Sequence, residues 1–132
     1  MAETPRASPA AYVARRRARR RDLIARARRF AEGCQQHLPL RAAVVFGSVA
    51  RGDWNDESDI DVLVVADGLP AAPLARLAAV GEPEDRVEPV VWSVTDWRRE
   101  RARGNPIVTD ALAHGVWLVG GPAGLGGDDP PR

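Results

Sequence analysis

The chain contains no lysine; all 19 of its basic residues are arginines. That absence removes every mechanism that depends on a lysine amine, including the P-loop lysine and the Schiff base. Cysteine is nearly absent as well. The single Cys34 excludes a disulfide framework and suits a reduced cytoplasm, where we expect the protein to reside. It lies among apolar positions at helical spacing, so it reads as a core residue rather than a reactive thiol. Histidine occurs only as His37 and His114. Neither has a cysteine or acidic partner at metal spacing, and helix-end roles are expected for both. No apolar run approaches the roughly 18 residues needed to span a bilayer, and the opening MAETPRASPA lacks the apolar stretch of a secretory signal.

What is present is enough for one domain. The chain has 132 residues, of which 45% are apolar, sufficient for a soluble core. The net charge of +1 conceals a split. Residues 1–41 carry 11 arginines against 3 acids, whereas residues 42–132 carry 8 against 15. The positive charge concentrates in RRRARRRDLIARARR, residues 15–29. Such a helix can bind nucleic-acid phosphates. The stretch has no aromatic residue on which bases could stack, which favours a solvated face balancing an acidic body.

Hydrophobic spacing and turn chemistry divide the chain further. Ser8–Pro9 is a helix start, and the helix is expected to run to about His37. Its apolar face (Leu23, Ile24, Ala27, Phe30, Ala31, Cys34) is weak before Arg21, so the first turns are expected to fray or to pack on a partner. Strands are expected at 41–46, 59–66, 86–93 and 116–120, the third at an edge or bulged because Pro89 cannot donate. Helices are expected at 69–81, at 95–104 with Thr95 as cap, and at 106–115. Residues 47–58 read as a loop with one helical turn. The fold class is therefore α/β (α+β), a mixed sheet packed with helices. One domain is expected over 9–120, with disorder at 1–8 and a disordered tail at 121–132. Trp92, Trp97 and Trp117 are expected in the core, and Trp54, in an acidic loop, at the surface.

The chemistry gathers in FGSVARGDWNDESDIDVLVV, residues 46–65. On a strand, positions i and i+2 face the same way, so Asp59 and Asp61 project together, with Cα atoms about 7 Å apart. Two such carboxylates repel each other, and a hard divalent cation such as Mg²⁺ suits their oxygens. Just before them, Gly47 lets the backbone approach a ligand closely. Ser48 offers a hydroxyl and N–H groups to phosphate oxygens, and the Arg51 guanidinium can fork onto a phosphate. A carboxylate pair beside phosphate donors describes a site for a metal–nucleotide complex.

The spacing Gly47–Ser48, ten residues, then Asp59–x–Asp61, within GSVARG and SDIDVLVV, resembles the G-S-x10-D-x-D signature of the minimal nucleotidyltransferases of the DNA polymerase β superfamily. The resemblance covers about residues 10–119. It implies a polymerase β palm-like fold and transfer of a nucleoside monophosphate from ATP or another NTP to an acceptor hydroxyl, with release of pyrophosphate. It also implies two Mg²⁺ ions, held by Asp59, Asp61 and a third carboxylate on a later strand. Glu88, in RVEPVVWS, is the candidate for that carboxylate, where many members carry aspartate. Glu84 and Asp85 read as solvated rivals. Gly47, Ser48 and Arg51 would hold the nucleotide phosphates.

The acceptor is the part the sequence leaves open. Larger members of the superfamily carry an extra helical domain for it, so a second copy of the chain or another protein is expected to supply that surface here. Minimal members are commonly paired with a helical HEPN protein, which some silence as antitoxins by adenylylating a tyrosine. A non-catalytic antitoxin or scaffold, docking through the start of the first helix, and an RNA-end-modifying enzyme are the alternative readings.

Overall fold

The computed structural model describes residues 8–126, so the disorder expected at 1–7 and 127–132 lies outside the described residues. The element order is α1 (Pro9–Gln35), β1 (Leu40–Phe46), α2 (Gly47–Arg51), β2 (Ile60–Ala66), α3 (Pro73–Ala79), β3 (Val87–Trp92), α4 (Val94–Ala102), α5 (Pro106–His114), β4 (Val116–Val119) and a closing 3-10 turn, Pro122–Leu125. The sheet runs in the order β3-β2-β1-β4, with β1 antiparallel to β2 and β4, and β2 parallel to β3. This is the mixed sheet expected, and β3, which contains Pro89, lies at its edge. Among the described residues, no helix is long and apolar enough to cross a membrane.

Both faces of the sheet are covered, which is why β2 reads as an almost unbroken apolar run. Ile60, Val62 and Val64 meet Leu23, Ala27, Phe30 and Cys34 of α1 on one face. Leu63 and Val65 meet Trp97 of α4, Val108 and Ala111 of α5, and Leu125 on the other. Asp61 therefore heads the row of β2 that faces α4 and α5. Cys34 is buried as expected, and burial pushes its thiol up to about 11.

Four expectations change. The cap of α4 is Ser93, not Thr95: the Ser93 hydroxyl accepts from Asp96 N while the Asp96 carboxylate accepts from Ser93 N. A serine followed three residues later by an acid closes both orphan N–H groups at once. Residues 121–126, expected to be tail, instead include the 3-10 turn, and Leu125 is fully buried against the α4–α5 side of the sheet. Trp54 is buried at 5% exposure, covered by the Arg16 guanidinium 4.1 Å above its ring.

The start of α1, lastly, packs within the chain. Arg20 donates from Nε to Val49 O at 3.0 Å and from Nη2 to Ala50 O at 3.1 Å. Arg16 Nη2 donates to Gly52 O and Trp54 O at 3.2 and 3.1 Å. A helix end leaves carbonyls without partners and carries partial negative charge, which guanidinium groups satisfy on both counts. Two arginines one turn apart on α1 thus hold α2 and the turn after it.

Candidate active site

Helix α2 opens directly out of strand β1. Its first residue, Gly47, has φ +74, a region open to glycine at little cost. Phe46, just before it, supplies no side-chain cap. The Gly47 N–H instead donates to Asp110 Oδ2, reaching across from α5 at 2.6 Å. At the other end, Gly52 closes the turn with φ 94 and returns its N–H to Ser48 O. Arg51 leans back over this short helix, with Nη1 on Asp110 Oδ2 at 3.0 Å and Nε on Asp53 Oδ2 at 3.2 Å.

Gly47, Ser48, Arg51 and Asp61 share one wall of a cavity of about 740 Å³, whose opposite side is α5 with Ile107, Asp110 and His114. That volume lies within the range of small-ligand sites. Asp59 and Glu88 are outside its lining but near enough for their charges to act on Asp61. Glu88 is exposed and stands in register with Asp61 across the parallel β2–β3 pair, so the two side chains leave the same face of the sheet. Asp59 is exposed and sits just before β2 instead of inside it, as had been expected. Arg86 fixes its approach. That residue adopts φ 68, donates to the carbonyls of Asp56 and Ser58, and offers its own carbonyl to Ile60 N.

The charges are not balanced. The Asp61 carboxyl is raised above the usual carboxylate range, first by burial and then by the negative charges of Asp59 and Glu88, against a smaller pull from Arg51. Among the described residues, no three acidic, histidine or cysteine side chains already stand close enough to grip a metal ion. The donors are nevertheless of the right kind. Three carboxylates that repel one another are hard oxygen ligands, and Mg²⁺ typically takes one or two carboxylates together with substrate phosphates and water rather than an all-protein cage.

The rival acids stand elsewhere: Glu84 pairs with Arg29 and Asp85 with Arg26, both on α1. His114 ends α5 as expected, yet it also lines the cavity. His37 falls in the turn after α1. Sequence reasoning missed Asp110. Its signal was an acid in the middle of the otherwise apolar helix PIVTDALAH, on the side that closes over the glycine turn.

Comparison with known proteins gives the family and supports the fold. The family described as the nucleotidyltransferase domain matches residues 27–118, more than half of the chain. The crystal structure of a "putative nucleotidyltransferase" from Sulfolobus solfataricus superposes with a TM-score of 0.57 at 25% identity, over 74% of this chain and 80% of that one. A protein of Methanocaldococcus jannaschii named "putative protein adenylyltransferase" is 54% identical over 28 residues, 21% of this chain. The match spans only 28% of that protein's length. A family match that takes in the glycine turn, the aspartates and α5 makes the assignment: the chain belongs to the nucleotidyltransferase domain family.

Proposed function

We propose that the chain transfers AMP from ATP to a hydroxyl group of a partner protein, and that Gly47, Ser48, Arg51, Asp59, Asp61 and Glu88 carry the reaction. The observation that supports this most directly is the shared cavity wall. The glycine turn, the Arg51 guanidinium and Asp61 face one space, and Glu88 stands in register with Asp61 on the neighbouring strand. The name of the M. jannaschii relative favours AMP as the group moved and a protein as the acceptor.

Gly47, Ser48 and Arg51 would hold the β- and γ-phosphates through N–H, hydroxyl and guanidinium donors. Asp59, Asp61 and Glu88 would hold Mg²⁺, two ions in the full complex, which when bound offset the negative charge that builds up on the phosphates. The acceptor oxygen forms a bond to the α-phosphorus, the bond from that phosphorus to the β-phosphate oxygen breaks, and pyrophosphate leaves. Glu88, exposed at the sheet edge, would take the acceptor's proton. The partner we infer is a helical HEPN protein, which this chain would silence as its antitoxin.

The first test is calorimetric. MgATP should bind the wild type in a magnesium-dependent way and should not bind the Asp59→Asn, Asp61→Asn double variant. Equal binding by both would overturn the carboxylate assignment. The acceptor is then tested by incubating the protein with ATP, Mg²⁺ and the protein encoded by its genomic neighbour. A mass increase of one AMP on the partner is expected, and an unchanged mass removes the antitoxin reading.

A further inference from the structure

Asp110 stands where a phosphate would have to go. The Gly47 amide has one hydrogen, and it is given to Asp110 Oδ2 at 2.6 Å. The same oxygen accepts from Arg51 Nη1 at 3.0 Å. Two of the three donors assigned above to the nucleotide phosphates are therefore engaged by one carboxylate oxygen of the protein itself. The Asp110 side chain is only 16% exposed, so water screens its charge poorly. The second acid on Arg51, Asp53, is different in kind. It is well exposed, touches only Nε and leaves the Gly47 N–H alone.

An N–H cannot serve two anions at full strength, and a phosphate brought to Gly47 and Arg51 would come up against the Asp110 carboxylate. We propose that Asp110 is an internal counter-anion: it holds the Gly47 and Arg51 donors in place in the nucleotide-free protein, and the triphosphate displaces it on binding. This rests on the reading of the cavity as a nucleotide site. Asp110 is thus a positioning residue whose charge lowers phosphate affinity while its shape keeps the donors aligned. Asparagine at this position keeps the shape and an acceptor oxygen but drops the charge.

The test uses the full chain and two probes, tripolyphosphate without metal and MgATP, titrated calorimetrically into the wild type, Asp110→Asn and Asp53→Asn. Asp110→Asn is expected to bind both probes about tenfold more tightly, with Asp53→Asn changing much less. Binding by Asp110→Asn that is equal or weaker overturns the proposal, as does an equal gain in Asp53→Asn, which would mean a general charge effect. A second measurement needs no variant. The carboxyl carbon resonance of Asp110 in the wild type should move as tripolyphosphate saturates the protein, and a stationary resonance at saturation overturns the proposal even if Asp110→Asn fails to fold. Failure of the nucleotide reading looks different, because the wild type would then show no Asp59- and Asp61-dependent binding of MgATP at all.

Discussion

The carboxylate of Asp61 occupies the space in which a side chain at Gly47 would begin: a Cβ built on Gly47 collides with Asp61 Oδ2. The turn and the acid are fitted to each other, and any other residue at position 47 has to push the acid aside. Gly47→Ala also forces a side chain into φ +74, which costs about 1–2 kcal/mol. We expect urea unfolding to show a loss of about that size. Nucleotide affinity should fall further, by at least tenfold at temperatures where the variant is still folded. Nucleotide binding that tracks stability alone would show that the Gly47–Asp61 fit has no bearing on the ligand.

Asp61 itself should cost the ligand-free protein stability. Its folded-state pKa is raised, first by burial and then by Asp59 and Glu88, so the ionised form is disfavoured in the fold. The sign follows from linkage. Stability contributed by the protonated group is present below the unfolded value of about 3.9 and is lost as the pH rises through the raised folded value. At neutral pH, Asp61→Asn should therefore stabilise the nucleotide-free protein, by about 0.5–2 kcal/mol as is typical of such changes, and raise its melting temperature, while abolishing MgATP binding. A lower melting temperature would show that the Asp61 charge is already compensated.

The site was legible in the sequence where it is local in the chain. Gly47, Ser48, Arg51, Asp59 and Asp61 fall within fifteen residues, and the period-two pattern of β2 orients Asp61, while Asp59 stands just outside the strand. The mixed sheet and the edge position of β3 followed from strand spacing and from Pro89. What escaped depends on contacts between distant segments. Asp110 reaches Gly47 from 63 positions away, and no short-range pattern encodes that bond. Trp54 looked exposed because its neighbours in sequence are acidic, yet its neighbour in space is Arg16. Leu125 sits among glycines and prolines, a composition that gave no sign that one side chain returns to the core.

Arg16 and Arg20 should differ from the other arginines of α1. Each donates to two carbonyls of α2 or the turn after it, and Arg16 also covers Trp54. Hydrogen bonds to charged groups contribute about 1.5–3 kcal/mol. Arg16→Ala and Arg20→Ala are each expected to destabilise by about that much in urea titrations. Arg17→Ala and Arg21→Ala, whose side chains are exposed, should stay within about 0.5 kcal/mol of the wild type. Four equal effects would return the whole basic stretch to the status of a solvated surface.

Leu125 gives a separate check on the closing 3-10 turn. It is fully buried between α4 and the sheet, and Arg98 Nε donates to its carbonyl at 2.8 Å. Leu125→Ala should cost about 2–5 kcal/mol, as removal of a core leucine does. An effect below about 0.5 kcal/mol would mean that the segment after Gly121 contributes nothing to the core.

Asp96 supplies the clearest pH signature. It is 8% exposed, and burial alone would raise its pKa. The Ser93 N–H, the Arg76 guanidinium and the Ser93 hydroxyl outweigh that penalty and hold the carboxyl down at about 2, with Arg99 adding a further donor. Here the linkage runs opposite to that of Asp61. The stabilisation is present above the unfolded value of about 3.9 and is lost as the pH falls through about 2, and a shift of this size corresponds to about 2–3 kcal/mol. Urea unfolding of the wild type and Asp96→Asn should therefore differ by a constant amount above about pH 5. The gap should narrow below pH 4, be small at pH 2, where the folded Asp96 carboxyl is about half protonated, and close below that. A gap that persists unchanged to pH 2 would mean that the capping geometry, rather than the charge, ties α3 and α4 together.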